Sequence, residues 1–337
     1  MKPYQTEGRT HIMNIYSFLG DGEIYFLMNL IPYALDYRYE FTFLTISYIM
    51  SLNWVTFLKT MLRHSRPQFD DPSIGVANST VSSVCSGEFG NPSGHTLLTT
   101  SYLLVAWLFL KQVCANSYKK NRWCGARLFD TFVFSSIFMV SLCRLYLGRH
   151  SLDQIILGNG LGAWSAIFAA DIYKKYFYDP VFAPDVSKDS LETIATRSWQ
   201  SMKNAIALYC AIFVAMVGLF TYVDIYQQIP DQWMQSLIDT CPTLRKSHTF
   251  HYFSLAATGY ITVIPSFYIF NYLKHAQWAR DGLPIATARP PTWVIVVEAI
   301  IKLCLMQGAE TMSKKVPAYV YGTNDLEPLV VFGEKSF

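Results

Sequence analysis

Five basic or imidazole side chains have the types and spacing to handle phosphate. Lys59 stands seven residues before Arg66, His95 closes the turn Pro92-Ser93-Gly94-His95, and Arg144 precedes His150 by six residues. An arginine fork binds two phosphate oxygens at once, and lysine adds a point charge. A turn of small residues such as Pro92-Ser93-Gly94 can aim backbone N–H groups at a third oxygen. Imidazole changes protonation near neutral pH, and each neutral tautomer presents one free ring nitrogen. Two histidines can therefore divide the roles of nucleophile and general acid. Taken singly these signals are weak, because a lysine at the end of an apolar run is ordinary. All three patches in one chain carry the reading.

The elements that must hold these residues are apolar. Of 337 residues, 52% are hydrophobic and only 15% charged, a composition too apolar for an ordinary soluble enzyme of this length. It predicts an all-α, polytopic membrane helical bundle. Apolar runs approaching a bilayer span fall at about 16–36, 40–58, 96–113, 128–147, 154–172, 204–223, 252–273 and 292–307, giving eight expected spans. The polar stretch 173–203, with Pro180 and Pro184, reads as a cytosolic linker. It divides a membrane phosphate-handling core at 1–172 from C-terminal membrane helices at 204–307 and an irregular tail at 308–337. The net charge of +3 is small and spread along the loops, so nucleic acid is not an expected partner. Residues 1–12 are polar, and Asp21 and Glu23 interrupt the first apolar run, so no cleavable signal peptide is expected.

Loop charge sets the expected orientation. Lys111, Lys119, Lys120, Arg122 and Arg127 lie between the third and fourth runs. Lys174 and Lys175 follow the fifth, and Lys274, Arg280 and Arg289 follow the seventh. By the positive-inside rule these loops are cytosolic. Alternation then places 59–95 and 148–153 together on the lumenal or extracellular side. Asn78-Ser79-Thr80 in the first of these loops is a candidate glycosylation site. Cys85 and Cys241 fall on the same side and could pair in an oxidising compartment, or all seven cysteines could remain free. His248 and His251 lack neighbouring ligand types and read as polar loop residues, so no metal is expected.

The order Lys59-x6-Arg66-Pro67, Pro92-Ser93-Gly94-His95 and Arg144-x5-His150 resembles the three-part signature of the type 2 phosphatidic acid phosphatase superfamily, over about residues 13–172. The resemblance implies a five-helix phosphatase core in which His150 attacks phosphorus to form a phosphohistidine and His95 serves as acid and then base. It further implies that Lys59, Arg66, Ser93, Gly94 and Arg144 hold the phosphoryl oxygens, with no cofactor or metal. Two positions depart from the pattern. Cys143 stands where the family has Ser, and Gln154 stands where it has the Asp that orients the nucleophile. Asp153 comes one residue early, so both Gln154 and Asp153 are candidates for that role.

Two branches of the superfamily share features with the chain. Phe18-Leu19-Gly20-Asp21-Gly22-Glu23, Ser65-Arg66-Pro67 and His150-Ser151-Leu152 resemble sphingosine-1-phosphate phosphatases. Cys85, the Ser93-Gly94-His95 ending, Gln154 and the sequon resemble glucose-6-phosphatase. The expectation is a lipid phosphate monoesterase of the endoplasmic reticulum membrane with a lumenal active site, acting on a sphingoid-base phosphate or a phosphatidate. The alternatives are a lumenal sugar phosphatase and, in a different class, a non-catalytic lipid-binding or transport protein. The sequence leaves the oligomeric state open.

Overall fold

The computed structural model describes residues 7–21, 24, 25, 28, 38–71, 74, 89–113, 125–172, scattered positions between 196 and 222, and 230–240. Its helices are α1 Glu7–Phe18, α2 Arg38–Leu62, α3 Pro67–Asp70, α4 Gly94–Val113, α5 Gly125–Tyr146, α6 Leu152–Ile172 and α7 Asp231–Thr240. Among the described residues there is no strand, so the all-α reading holds.

Helix α4 is central. It packs most extensively on α6 and then on α2 and α5, while α1 lies against α5 and α7 against α3. The close approach of α4 and α6 depends on missing side chains. A Cβ on Gly158 would fall 2.2 Å from Thr96 Oγ1, and one on Gly162 would fall 2.6 Å from the Leu97 carbonyl. Small residues at such a seam let backbones meet where larger ones would hold them apart. Leu44, Leu52, Leu98, Tyr102, Val105, Val133 and Ala166 form the apolar interior.

A polar thread runs through that interior. Ser51 Oγ donates to Ser101 Oγ at 2.7 Å and lies 3.0 Å from Ser165 Oγ, linking α2, α4 and α6. Thr100 Oγ1 donates to Asn159 Oδ1 at 2.8 Å, and Asn159 Nδ2 donates to Ser141 Oγ at 3.0 Å, which brings in α5. Each buried hydroxyl or amide here has a partner, as burial demands. Large apolar side chains face outward instead: Phe132 and Phe138 on α5, and Ile156, Trp164 and Ile167 on α6, are all exposed.

Helices α2, α4, α5 and α6 coincide with the apolar runs 40–58, 96–113, 128–147 and 154–172. Among the described residues, Arg127–Tyr146 is the one helix long and apolar enough by composition to cross a membrane. The first expected run differs from the structure. Residue 16 lies near the end of α1, and the chain turns at 19–21, with Gly20 N–H bonded to Ser17 O and Asp21 N–H to Phe18 O. Gly and Asp are poor helix formers, so Gly20-Asp21-Gly22 favours a turn over a continuing helix. Residues 173–195 of the expected linker 173–203, the runs 252–273 and 292–307, the tail 308–337, Asn78, Cys85, Cys241, His248 and His251 lie outside the described residues.

Candidate active site

Four long helices bring one end each to the same place. Helices α2 and α5 finish there and α4 and α6 begin there, so two helix N-termini, each carrying partial positive charge, face the same region. Lys59 lies in the last turn of α2 and Arg144 in the last turn of α5. Arg66 precedes a proline at the first position of α3 and takes an extended conformation, φ −88° and ψ 150°, because a following proline disfavours the helical region. Ser93, Gly94 and His95 open α4. The turn between α5 and α6, with Gly148 at φ 66°, delivers His150.

The structure thus gathers the residues singled out in the sequence. Lys59, Arg66 and Arg144 are buried, and all three guanidinium or ammonium charges act on the fully buried His150. A Cβ on Gly94 would stand 3.6 Å from Lys59 Nζ, which places that ammonium at the head of α4. The Ser93 N–H is taken by the Gln154 carbonyl at 3.1 Å. The Ser93 hydroxyl is buried with no hydrogen-bond partner among the described residues.

His150 is oriented through one ring nitrogen. Its Nδ1 lies 2.8 Å from the Gly90 carbonyl oxygen and 3.2 Å from Gln154 Oε1. A carbonyl oxygen only accepts, so Nδ1 carries the hydrogen and Nε2 keeps its lone pair. Burial, then Arg66, Arg144, Lys59 and His95, hold the imidazole pKa well below its ordinary value. The ring is therefore neutral and nucleophilic at neutral pH. Gln154 is itself pinned, its Nε2 donating to Ser65 O at 2.8 Å and its Oε1 accepting the Ser151 N–H at 3.3 Å.

Of the two candidate orienting residues, then, Gln154 reaches His150. Asp153 lies on the exposed face of α6, because consecutive helical residues point about 100° apart. The partner not foreseen is the backbone of Gly90. Its N–H donates to His64 O at 2.8 Å, and a Cβ there would sit 2.5 Å from Ser65 O and 2.7 Å from Gln154 Nε2. A carbonyl has no signature in sequence; a glycine beside Asn91-Pro92 was the available sign of a close backbone approach.

His95 has a different kind of partner. Its Nε2 lies 2.8 Å from Asp21 Oδ1, in the turn after α1. Burial and the Arg144 guanidinium push its pKa down to about 4, with Lys59 adding to the effect and Asp21 opposing it. A phosphate dianion among these cations would offset their repulsion and raise that value. Helix α1 makes a second contact, since Arg144 Nη1 donates to Ser17 Oγ at 2.9 Å. Cys143 points instead to Met13, with its Sγ 3.3 Å from the Met13 Sδ.

A third connection runs to the C-terminal part. Arg149, buried beside Arg144 and Arg66, donates from Nη1 to Gln68 Oε1 at 3.0 Å. The Gln68 carbonyl accepts from Ser236 Oγ on α7 at 3.2 Å. The C-terminal block, which carries no catalytic motif, reaches the margin of the site through this chain of bonds.

Chemically, the arrangement joins a nucleophilic imidazole nitrogen, a second imidazole with an acid beside it, and buried cations in a region faced by two helix N-termini. Such a site suits an anion with several oxygens. Residues 40–178 match the model of the PAP2 superfamily. Neither a curated protein nor a solved structure matches the chain. The matched region contains Lys59, Arg66, Ser93, Gly94, His95, Arg144, His150 and Gln154.

Proposed function

We propose that the chain is a PAP2-type phosphatase, an integral membrane phosphomonoesterase that hydrolyses a lipid phosphate, of the sphingoid-base or phosphatidate kind, through a phosphohistidine on His150. The observation that carries the proposal is the orientation of that ring. With Nδ1–H held by the Gly90 carbonyl, Nε2 is the nucleophile among the charges of Lys59, Arg66 and Arg144.

Nε2 of His150 attacks phosphorus in line with the leaving oxygen. His95 gives that oxygen a proton and then takes one from the water that hydrolyses the phosphohistidine. Lys59, Arg66 and Arg144, with the Ser93 hydroxyl and the Gly94 N–H, hold the equatorial oxygens, whose negative charge persists through both transfers. Fixed cations supply the neutralisation that a divalent ion provides in other phosphoryl transfers.

The outward faces support a lipid setting. Exposed Phe132, Phe138, Ile156, Trp164 and Ile167 make up apolar surface that water would penalise and acyl chains would not. Helix α4, at 20 residues, is about 30 Å long, the thickness of a bilayer's hydrocarbon core. At the end of α4 away from the site, Trp107 Nε1 donates to Asp130 Oδ1 at 2.6 Å, and Lys111 Nζ stands 3.7 Å from the Trp107 ring centroid. Aromatic and cationic residues of this kind belong at a membrane–water interface. With the basic loops cytosolic, the site opens on the lumenal face, in the endoplasmic reticulum on this reading, and about eight spans complete the bundle. The second reading is a lumenal sugar phosphatase. It draws support from Gln154, which stands where glucose-6-phosphatase also departs from Asp and here bonds the nucleophile.

The test is phosphate release by the purified chain from sphingosine-1-phosphate, phosphatidic acid and glucose-6-phosphate, beside a His150→Ala control. The expected outcome is preference for a lipid, with an acid-labile, base-stable phosphoryl-enzyme that the control lacks. Preference for the sugar would establish the second reading. No release above the control from any of the three would refute the phosphatase assignment.

A further inference from the structure

The region matched by the PAP2 model begins at residue 40, yet the site has contacts that come from before it. Helix α1 ends at Phe18 and the chain turns back on itself, Gly20 N–H bonding Ser17 O at 2.9 Å and Asp21 N–H bonding Phe18 O at 3.0 Å. The next turn is closed by Ile24 N–H on Asp21 O at 3.2 Å. Tyr25 then locks the loop to the bundle. Its hydroxyl bonds the Leu19 carbonyl and reaches Thr99 Oγ1 of α4 at 2.8 Å. The turn is thus fixed on the helix that begins with the catalytic patch.

Its residues fit the His95 ring closely. A Cβ on Gly20 would lie 2.8 Å from both Cβ and Cδ2 of His95, so the turn can pass the ring only with glycine there. That approach sets Asp21 Oδ1 2.8 Å from His95 Nε2. The other charged or titratable groups that act on His95 are Arg144 from α5, Lys59 from α2 and His150 from the turn before α6. Among them Asp21 supplies the negative charge. Two residues of this segment touch the machinery, because Ser17 accepts from Arg144.

We propose that Asp21 is the positioning residue of the general acid: it keeps a hydrogen on Nε2 of His95 and leaves Nδ1 as the nitrogen that exchanges protons with the substrate. The inference rests on the phosphatase reading and assigns this role to a residue outside the family-matched region. A carboxylate at hydrogen-bond distance accepts and does not donate, so the Nε2–H is shared with Asp21 in both protonation states of the ring. In the first transfer the imidazolium gives its Nδ1 proton to the leaving alkoxide as the P–O bond breaks and the bond from His150 Nε2 to phosphorus forms. In the second, neutral His95 takes one proton at Nδ1 from the attacking water as the N–P bond breaks. Alcohol and phosphate leave, and both histidines return to their starting states. Throughout, the carboxylate favours the charged ring against the pull of Arg144 and Lys59.

The experiment compares Asp21→Asn with wild type in the full-length, detergent-solubilised chain on two substrates. One is the preferred alkyl phosphate, whose alkoxide must be protonated to leave. The other is p-nitrophenyl phosphate, whose phenolate departs without a proton. The expected result is a roughly 10- to 100-fold fall in kcat/KM on the alkyl phosphate, and a several-fold smaller loss on p-nitrophenyl phosphate. Asp21→Asn removes what raises the His95 pKa. The basic limb of the alkyl phosphate profile, where the acid loses its proton, therefore moves to lower pH. Equal losses on both substrates in a variant that melts like wild type, or no loss on either, overturn the role. If Asp21→Asn melts lower, Asp21→Glu carries the comparison. Its expected result is partial rescue of the alkyl phosphate rate, and no rescue counts against the proposal. A wild-type chain inactive on both substrates would sink the phosphatase reading itself, whereas an active one with an unselective Asp21→Asn would sink only this inference.

Discussion

His150 and His95 stand among the same cations but are held by opposite kinds of partner. His150 is buried and bonded to two neutral acceptors, the Gly90 carbonyl and the Gln154 amide. His95 is partly exposed and bonded to a carboxylate. The difference fits the roles proposed for the two rings. A nucleophile must keep a lone pair, and neutral acceptors orient it without paying for its protonation. A general acid must hold a proton amid Lys59 and Arg144, and only an opposing charge helps it do so. Seen this way, Gln154 in place of the usual Asp is consistent with a site whose carboxylate is placed at the acid.

The largest effect is expected at Gly90. A methyl group there meets the Ser65 carbonyl at 2.5 Å and the Gln154 amide at 2.7 Å, and one of these is backbone that cannot turn aside. The Gly90 carbonyl must then shift and take the His150 ring with it. Gly90→Ala is expected to lower kcat roughly a hundredfold or more, since a displacement near 1 Å is that costly to an attacking atom. Measured kcat with lipid phosphate, beside the protein's melting temperature, checks this. A variant with wild-type kcat would show that the carbonyl does not orient the nucleophile.

Exchanging the kind of partner should sharpen the contrast. Gln154→Glu puts a carboxylate opposite the Nδ1–H of His150, which favours imidazolium and raises the pKa of that ring. Because attack needs the unprotonated form, the acid limb of kcat/KM should move to higher pH, by roughly one unit or more. A loss of roughly tenfold at the optimum should accompany it, as the Ser65 carbonyl loses the amide donor that now reaches it at 2.8 Å. An acid limb that stays in place would argue that the 3.2 Å contact to Gln154 does not influence the nucleophile.

How far each half could be read in advance differs for a physical reason. The His150 half was legible because its cations are side chains at fixed intervals: Lys59 and Arg66 flank one helix end, and Arg144 and His150 flank one turn. Helix ends follow from apolar runs, so α2, α4, α5 and α6 were placed along with them. What escaped was carried by backbone or by long-range contact. The Gly90 carbonyl has no residue type to announce it. Asp21 meets His95 across 74 positions of chain, at a place where the apolar pattern suggested a continuing span and the structure has a turn. Asp153 and Gln154 were equally good candidates until helix phase put one outside and one inside. For Asp21 a signal did exist, an acid between two glycines inside an apolar stretch, a costly arrangement for a residue with no task.

The gentlest change tests whether α1 serves both halves. Ser17 is buried on α1, and its Oγ accepts from Arg144 Nη1 at 2.9 Å. The hydroxyl holds one nitrogen of the Arg144 guanidinium, while Cys143, at the position where the resembled pattern has a serine, faces Met13. Ser17→Ala leaves the charge of Arg144 in the site but removes one of the bonds that aim it. One neutral acceptor to a charged donor is worth about 1.5 kcal/mol, and only the fraction realised in the transition state affects the rate. A loss of roughly threefold to tenfold in kcat/KM is expected, alike on alkyl and p-nitrophenyl phosphates because both share the phosphoryl group. That sameness separates Ser17 from Asp21. If Ser17→Ala were instead selective for the alkyl phosphate, the two contacts of this segment would act as one unit on His95, and the division between an orienting half and a protonating half would have to be redrawn.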